Sequence, residues 1–73
     1  MTRLPRISGR KCIKALCKAG FYIKRQKGSH VTLRRDFPFA QVVIPDHKEL
    51  DFGTLRDIIS HAGLTVDEFV DLL

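Results

Sequence analysis

The residues best suited to chemistry lie between positions 24 and 35, KRQKGSHVTLRR, where His30 stands among Lys24, Lys27 and Arg34. An imidazole changes protonation near neutral pH and can take or give a proton, and fixed cations attract an anionic group and stabilise charge that develops on it. That combination suits proton transfer on a polyanion. His47, in the segment Pro45-Asp46-His47-Lys48-Glu49, follows an apolar run by few residues and is the candidate second group; the plainer reading of a loop histidine is that it is only solvated. His61 closes a helical pattern, where an imidazolium interacts favourably with the helix C-terminus. The three histidines lack the spacing of metal ligands and the acids fall mostly in the C-terminal part, so neither a metal site nor a cofactor is expected. Ser29 is a poor nucleophile for His30 to activate, because neighbouring strand side chains point to opposite faces.

The elements that must position these groups follow from periodicity. Val31 and Leu33 alternate with His30, Thr32 and Arg34, the pattern of a strand with one apolar and one polar face. Upstream, Phe21, Ile23 and Arg25 share one face and Tyr22, Lys24 and Gln26 the other. With Ile23 and Leu33 on one core, Tyr22, Lys24, His30, Thr32 and Arg34 are expected to be exposed together. Gly28-Ser29 joins the two runs. Asp36-Phe37-Pro38-Phe39 reads as a turn, and Ala40 to Ile44 as a third strand ended by Pro45, apolar enough in Val42-Val43-Ile44 to be covered on both sides.

Ser8 is a good N-cap for a helix running to about Ala19, with Gly20 as its stop. Ile13, Leu16 and Cys17 form its inward stripe, and Arg10, Lys14 and Lys18, joined by Lys11, an outward row able to follow a phosphate backbone or merely to solubilise the surface. Leu55, Ile58, Ile59 and Ala62 repeat at helical spacing after the potential cap Asp51 and before Gly63. Thr65-Val66-Asp67-Glu68 is a capping box for a short last helix whose apolar face is Val66, Phe69, Val70 and Leu73, with Leu64 placed to staple onto Phe69. The order α-β-β-β-α, plus a short C-terminal helix, predicts an α+β layer: a three-stranded antiparallel sheet with helices packed on one face and the other face open.

With 73 residues the chain is expected to be a single domain spanning 1–73, too small for a large buried cavity. No apolar run is long enough to span a bilayer and the first residues lack a signal-peptide core, so a cytoplasmic protein with no membrane association is expected. Cys12 and Cys17, five apart on one helix, are too far apart to bridge, and both are expected to be reduced core-lining thiols. The net charge of +5 is divided unevenly. Residues 1–45 hold eleven Lys or Arg against the single acid Asp36, whereas residues 46–73 hold seven acids against Lys48 and Arg56. A basic half of this kind suits a polyanionic partner.

Three segments, GFYIKRQKGSHVTLRR, VVIPDHKEL and GTLRDIISHAGLTVDEF, resemble in order and spacing the HicA-type mRNA interferase toxins, from Ser8 to Phe69. The most specific parts are Gly28-Ser29-His30, Pro45-x-His47 and Gly53-Thr54-Leu55. The resemblance implies a double-stranded-RNA-binding-domain-like fold, endoribonuclease activity against mRNA as the toxin of a type II toxin–antitoxin system linked to stress response, a HicB-type antitoxin as partner, and His30 as the catalytic histidine.

RNA brings its own nucleophile, the 2′-hydroxyl, so a metal-independent ribonuclease needs a base, an acid for the leaving oxygen and cations for the phosphorane. His30 suits the base; His47, Tyr22 or a lysine could be the acid. The RNA-binding candidates are Arg10, Lys11, Lys14, Lys18, Lys24, Lys27 and Arg34. Two rival readings use the same residues without chemistry: an RNA-binding module in which His30 only stacks or hydrogen-bonds, and a protein-interaction domain whose basic face docks an acidic partner.

Overall fold

The computed structural model describes residues 3–73. Its order is helix α1 (Gly9–Lys18), strands β1 (Tyr22–Lys27), β2 (His30–Asp36) and β3 (Phe39–Pro45), then helices α2 (Phe52–His61) and α3 (Val66–Val70). The strands form one antiparallel sheet with β2 in the middle, the α+β layout expected from the sequence. Val31, Leu33, Val42 and Ile44 face the helices and are buried with Leu16, Leu55, Ile58, Ile59 and Phe69 in one core.

Local chemistry sets the element ends. The Ser8 side chain accepts from the Lys11 N–H, Asp51 from the Thr54 N–H, and Thr65 and Glu68 form the reciprocal capping box. Gly28 has φ 59° and Ser29 is not left-handed, the pattern of a type II′ hairpin turn with glycine at its first central position. Gly9 is buried where α1 meets the end of β3. A Cβ there would overlap the Pro45 carbonyl oxygen and lie 3.2 Å from the Asp46 Cα, so only glycine permits this approach.

Several expectations are corrected. Ile23 lies opposite Leu33 yet is 52 % exposed, because β1 is an edge strand and both longer helices pack mainly against β3. The β1 register shifts between Ile23 and Arg25, a bulge at Lys24. Beyond it the alternation is inverted. Arg25 therefore pairs with Thr32 and Lys27 with His30 on the open face, while Gln26 pairs with Val31 on the other. Thr32 is only 6 % exposed, since this short side chain of the middle strand sits between Arg25 and Val43. The third strand is covered on one side only, with Ala40, Val42 and Ile44 buried and Gln41 and Val43 exposed.

On α1 the inward stripe is Gly9, Cys12, Ile13 and Leu16, and Cys17 is exposed. After Val70 the chain tightens into a turn, in which the Leu72 and Leu73 N–H groups donate to the Phe69 and Val70 carbonyls; Leu72 packs against the core and Leu73 is exposed. The segment before α1 also contributes to the core: Ile7 is buried, and its carbonyl accepts from the Leu50 N–H at 2.8 Å.

Candidate active site and nucleic-acid interface

His30 is exposed at the first position of β2, immediately after the Gly28-Ser29 turn. Its cross-strand neighbours are Lys27 on β1 and Pro45 on β3. The ladder continues one step beyond Pro45, where the Asp46 N–H donates to the Ser29 carbonyl at 2.6 Å. The next residue is His47, whose carbonyl accepts from the Gly9 N–H at 2.9 Å. Asp46 is gripped by Arg10, whose Nε and Nη2 each donate to one carboxylate oxygen at 3.1 Å. One end of the sheet thus gathers the His30 turn, the His47 loop and the start of α1, although His30 and His47 are 17 residues apart and Arg10 and Asp46 are 36 apart.

The predicted helix row divides. Arg10 is committed to Asp46, and Lys18 Nζ donates to the Leu72 carbonyl at 3.0 Å. Lys11 and Lys14 are exposed and make no ion pair among the described residues. Because α1 packs on the covered side of the sheet, these lysines project from the helical layer and not from the open face that carries His30.

On the open face the cations are Lys27 beside His30, Arg25 beside Thr32, and Arg34, with Lys24 exposed at the bulge. Arg25 is the cation that periodicity placed explicitly on the wrong face, and Gln26 the polar residue. An even alternation assigns Arg25 to the core side, and only a cross-strand register reveals the inversion.

Arg34 lies four residues along β2 from His30, about 13 Å at strand rise. Its Nε is 3.0 Å from Asp36 Oδ1, ion-pair distance, but the N–H is not aimed at that oxygen and has no hydrogen-bond acceptor among the described residues. Tyr22, opposite Arg34, donates its hydroxyl to both Asp36 oxygens at 3.0 and 3.1 Å. That hydrogen bond is the main cause of a raised Tyr22 pKa. A phenol held this way, about 13 Å from His30, is badly suited to protonate a leaving group there.

Arg35, next in sequence, points to the covered side and is structural. It donates to the Pro38 and Ala62 carbonyls at 2.9 and 3.1 Å, and its guanidinium lies 4.7 Å from the Phe21 ring centroid. Among the described residues no three His, Cys, Asp or Glu side chains converge as a metal site requires. No helix among the described residues is long and apolar enough to cross a membrane.

No curated protein matches the chain. The family model described as "HicA toxin of bacterial toxin-antitoxin" matches residues 9–64, from the first residue of α1 to the turn that follows α2. That span contains the His30 turn, the His47 loop and the whole sheet between them, and the chain belongs to the HicA toxin family.

Proposed function

We propose that this toxin is a metal-independent endoribonuclease that cleaves mRNA with His30 as its general base. The observation that carries the reading is the placement of His30: exposed on the open sheet face, opposite Lys27, and linked through Ser29 and Asp46 to the loop that bears His47. In the proposed reaction His30 removes the 2′-hydroxyl proton and the oxygen attacks the adjacent phosphorus. The bond to the 5′-oxygen breaks as that oxygen is protonated, giving a 2′,3′-cyclic phosphate and a 5′-hydroxyl. In this reading Lys27, the cross-strand neighbour of His30, stabilises phosphorane charge, and His47 and Lys27 are the candidates for the acid.

The RNA-binding set is Lys24, Lys27 and Arg34, to which the sheet register adds Arg25. Lys11 and Lys14, with Arg10 and Lys18 where their present partners release them, supply a second basic surface on the helical layer. Membership of a toxin–antitoxin family supports a HicB-type antitoxin partner, a cytoplasmic site of action and a role in stress response. Residues 1–73 act as one toxin domain in this reading.

The test is His30→Ala, assayed with RNA in EDTA. The expected loss of cleavage is about 10²- to 10⁴-fold with an unchanged thermal midpoint, because the side chain is exposed. A folded His30→Ala protein that cuts RNA at the wild-type rate refutes the assignment. A non-catalytic RNA-binding module is the alternative, and it predicts binding without any cleavage by the wild type.

A further inference from the structure

The open sheet face does not end at the His30 region. At its far end, on three adjacent strands, Tyr22 on β1 lies opposite Arg34 on β2, Arg34 lies opposite Gln41 on β3, and Asp36 lies opposite Phe39. Phe39 is 64 % exposed, Tyr22 is 44 % exposed, and the Arg34 guanidinium carbon lies 5.1 Å from the Phe39 ring centroid. Phe37, in the adjoining turn, is 93 % exposed. Single exposed apolar residues need no explanation, but an exposed ring with a guanidinium over it, beside a second exposed aromatic residue on the same face of a basic sheet, offers π surface to a ligand.

We infer that this end of the sheet, centred on Phe39 with Tyr22 and Arg34, is a base-stacking subsite for single-stranded RNA, separate from the His30 centre. The inference rests on the RNA-cleaving reading and extends it by naming the form of RNA held and where its bases lie.

Charge favours RNA as the occupant. Asp36 is the one acid among the first 45 residues, and it is already engaged by the Tyr22 hydroxyl and by the nearby Arg34. Arg25, opposite Thr32, lies on the same face between this end and His30, Lys27 lies beside His30, and the two can track a phosphate backbone. Unpaired bases, unlike those of a duplex, offer free faces to rings and to an arginine plane. The exposed Gln41 amide adds a donor and an acceptor for a base edge. From His30 to Asp36 is about 20 Å along β2, enough for an RNA strand to be cut at one end and stacked at the other.

The experiment uses the full chain carrying His30→Ala to suppress cutting, with fluorescence anisotropy on a short labelled single-stranded RNA. Adding Phe39→Ala is expected to weaken binding about fivefold to a hundredfold, with the slope of log affinity against log salt unchanged. Phe39→Trp is expected to retain affinity, and Phe39→Leu to behave like Phe39→Ala. Arg25→Ala, by contrast, is expected to flatten the salt slope by nearly one phosphate contact. The exposure of Phe39 allows each variant to be checked for an unchanged thermal midpoint.

Equal RNA affinity for Phe39→Ala and its parent overturns the subsite, as does a Phe39→Leu protein that binds as well as phenylalanine. A Phe39→Ala protein that loses affinity only for the antitoxin also overturns it, by making this end a protein-docking surface. The two readings fail separately. A wild type that cuts RNA through His30 while Phe39 is indifferent removes the subsite alone. A wild type that does not cut, with the Phe39 series behaving as described, removes the nuclease and keeps the subsite.

Discussion

Arg10 and Asp46 form a two-pronged ion pair across 36 residues, with both contacts at 3.1 Å. It fastens the first turn of α1 to the residue between the end of β3 and His47. A cation that sequence periodicity assigns to RNA thereby holds the loop of a candidate catalytic group. A double-mutant cycle with Arg10→Ala and Asp46→Ala should give a coupling of about 0.5 to 1 kcal/mol, the upper part of the range for an exposed pair. Arg10→Ala should lower the cleavage rate more than RNA affinity, whereas Lys14→Ala should lower affinity and its salt dependence with no change in stability. Zero coupling by urea titration, with Arg10→Ala and Lys14→Ala affecting RNA binding alike, would return Arg10 to the phosphate-binding row.

The contact of Gly9 with the Pro45 carbonyl predicts a large effect from a single methyl group. Gly9→Ala gains helix propensity but must push α1 away from β3 and the His47 loop. A net loss of about 1 to 3 kcal/mol is expected from overpacking, together with weaker hydrogen-exchange protection of the Gly9-to-His47 backbone bond. Unchanged or increased stability in urea would mean that the approach of helix to strand is looser than the structure shows.

The two cysteines should react very differently. Burial pushes the Cys12 thiol up to about 12, so little thiolate forms at neutral pH, whereas Cys17 is exposed. A thiol reagent at pH 8 should modify one cysteine rapidly and the second only on unfolding, and peptide mapping should place the fast adduct on Cys17. Fast modification of Cys12 in the native protein would contradict the packing of α1.

Acid should act in part through the cap of α2. The Thr54 N–H donates to Asp51 at 2.7 Å, and this bond is the main reason the Asp51 carboxyl is held below its ordinary value of 3.8. A lowered folded value means that the unfolded chain binds the proton more tightly, so the stabilisation is complete above the ordinary value and is lost as pH falls through the folded one. The stability difference between wild type and Asp51→Ala should therefore be constant at neutral pH and shrink from about pH 4 downward. A difference that persists unchanged at about pH 2 would mean that the hydrogen bond does not depend on the ionised carboxylate.

The sequence by itself determined the features whose causes lie within a few residues. The caps Ser8, Asp51 and Thr65, the left-handed glycines after α1 and α2, the Gly28 turn and the α2 stripe of Leu55, Ile58, Ile59 and Ala62 are each set by local hydrogen bonding or by one helical period. His30 on the polar side of β2 follows from the same short-range alternation. Tertiary structure decided what depends on a second segment. The bulge at Lys24 exists only as a register between β1 and β2, and it moves Arg25 and Lys27 to the face of His30. Burial of Cys12 and exposure of Cys17 depend on which side of α1 meets the core, a choice that two cysteines at that spacing leave open. Arg10, Lys18 and Arg35 look alike as basic residues. They are separated by acceptors on Asp46, Leu72 and Ala62, at least 27 residues away, which only the folded chain brings within hydrogen-bonding distance.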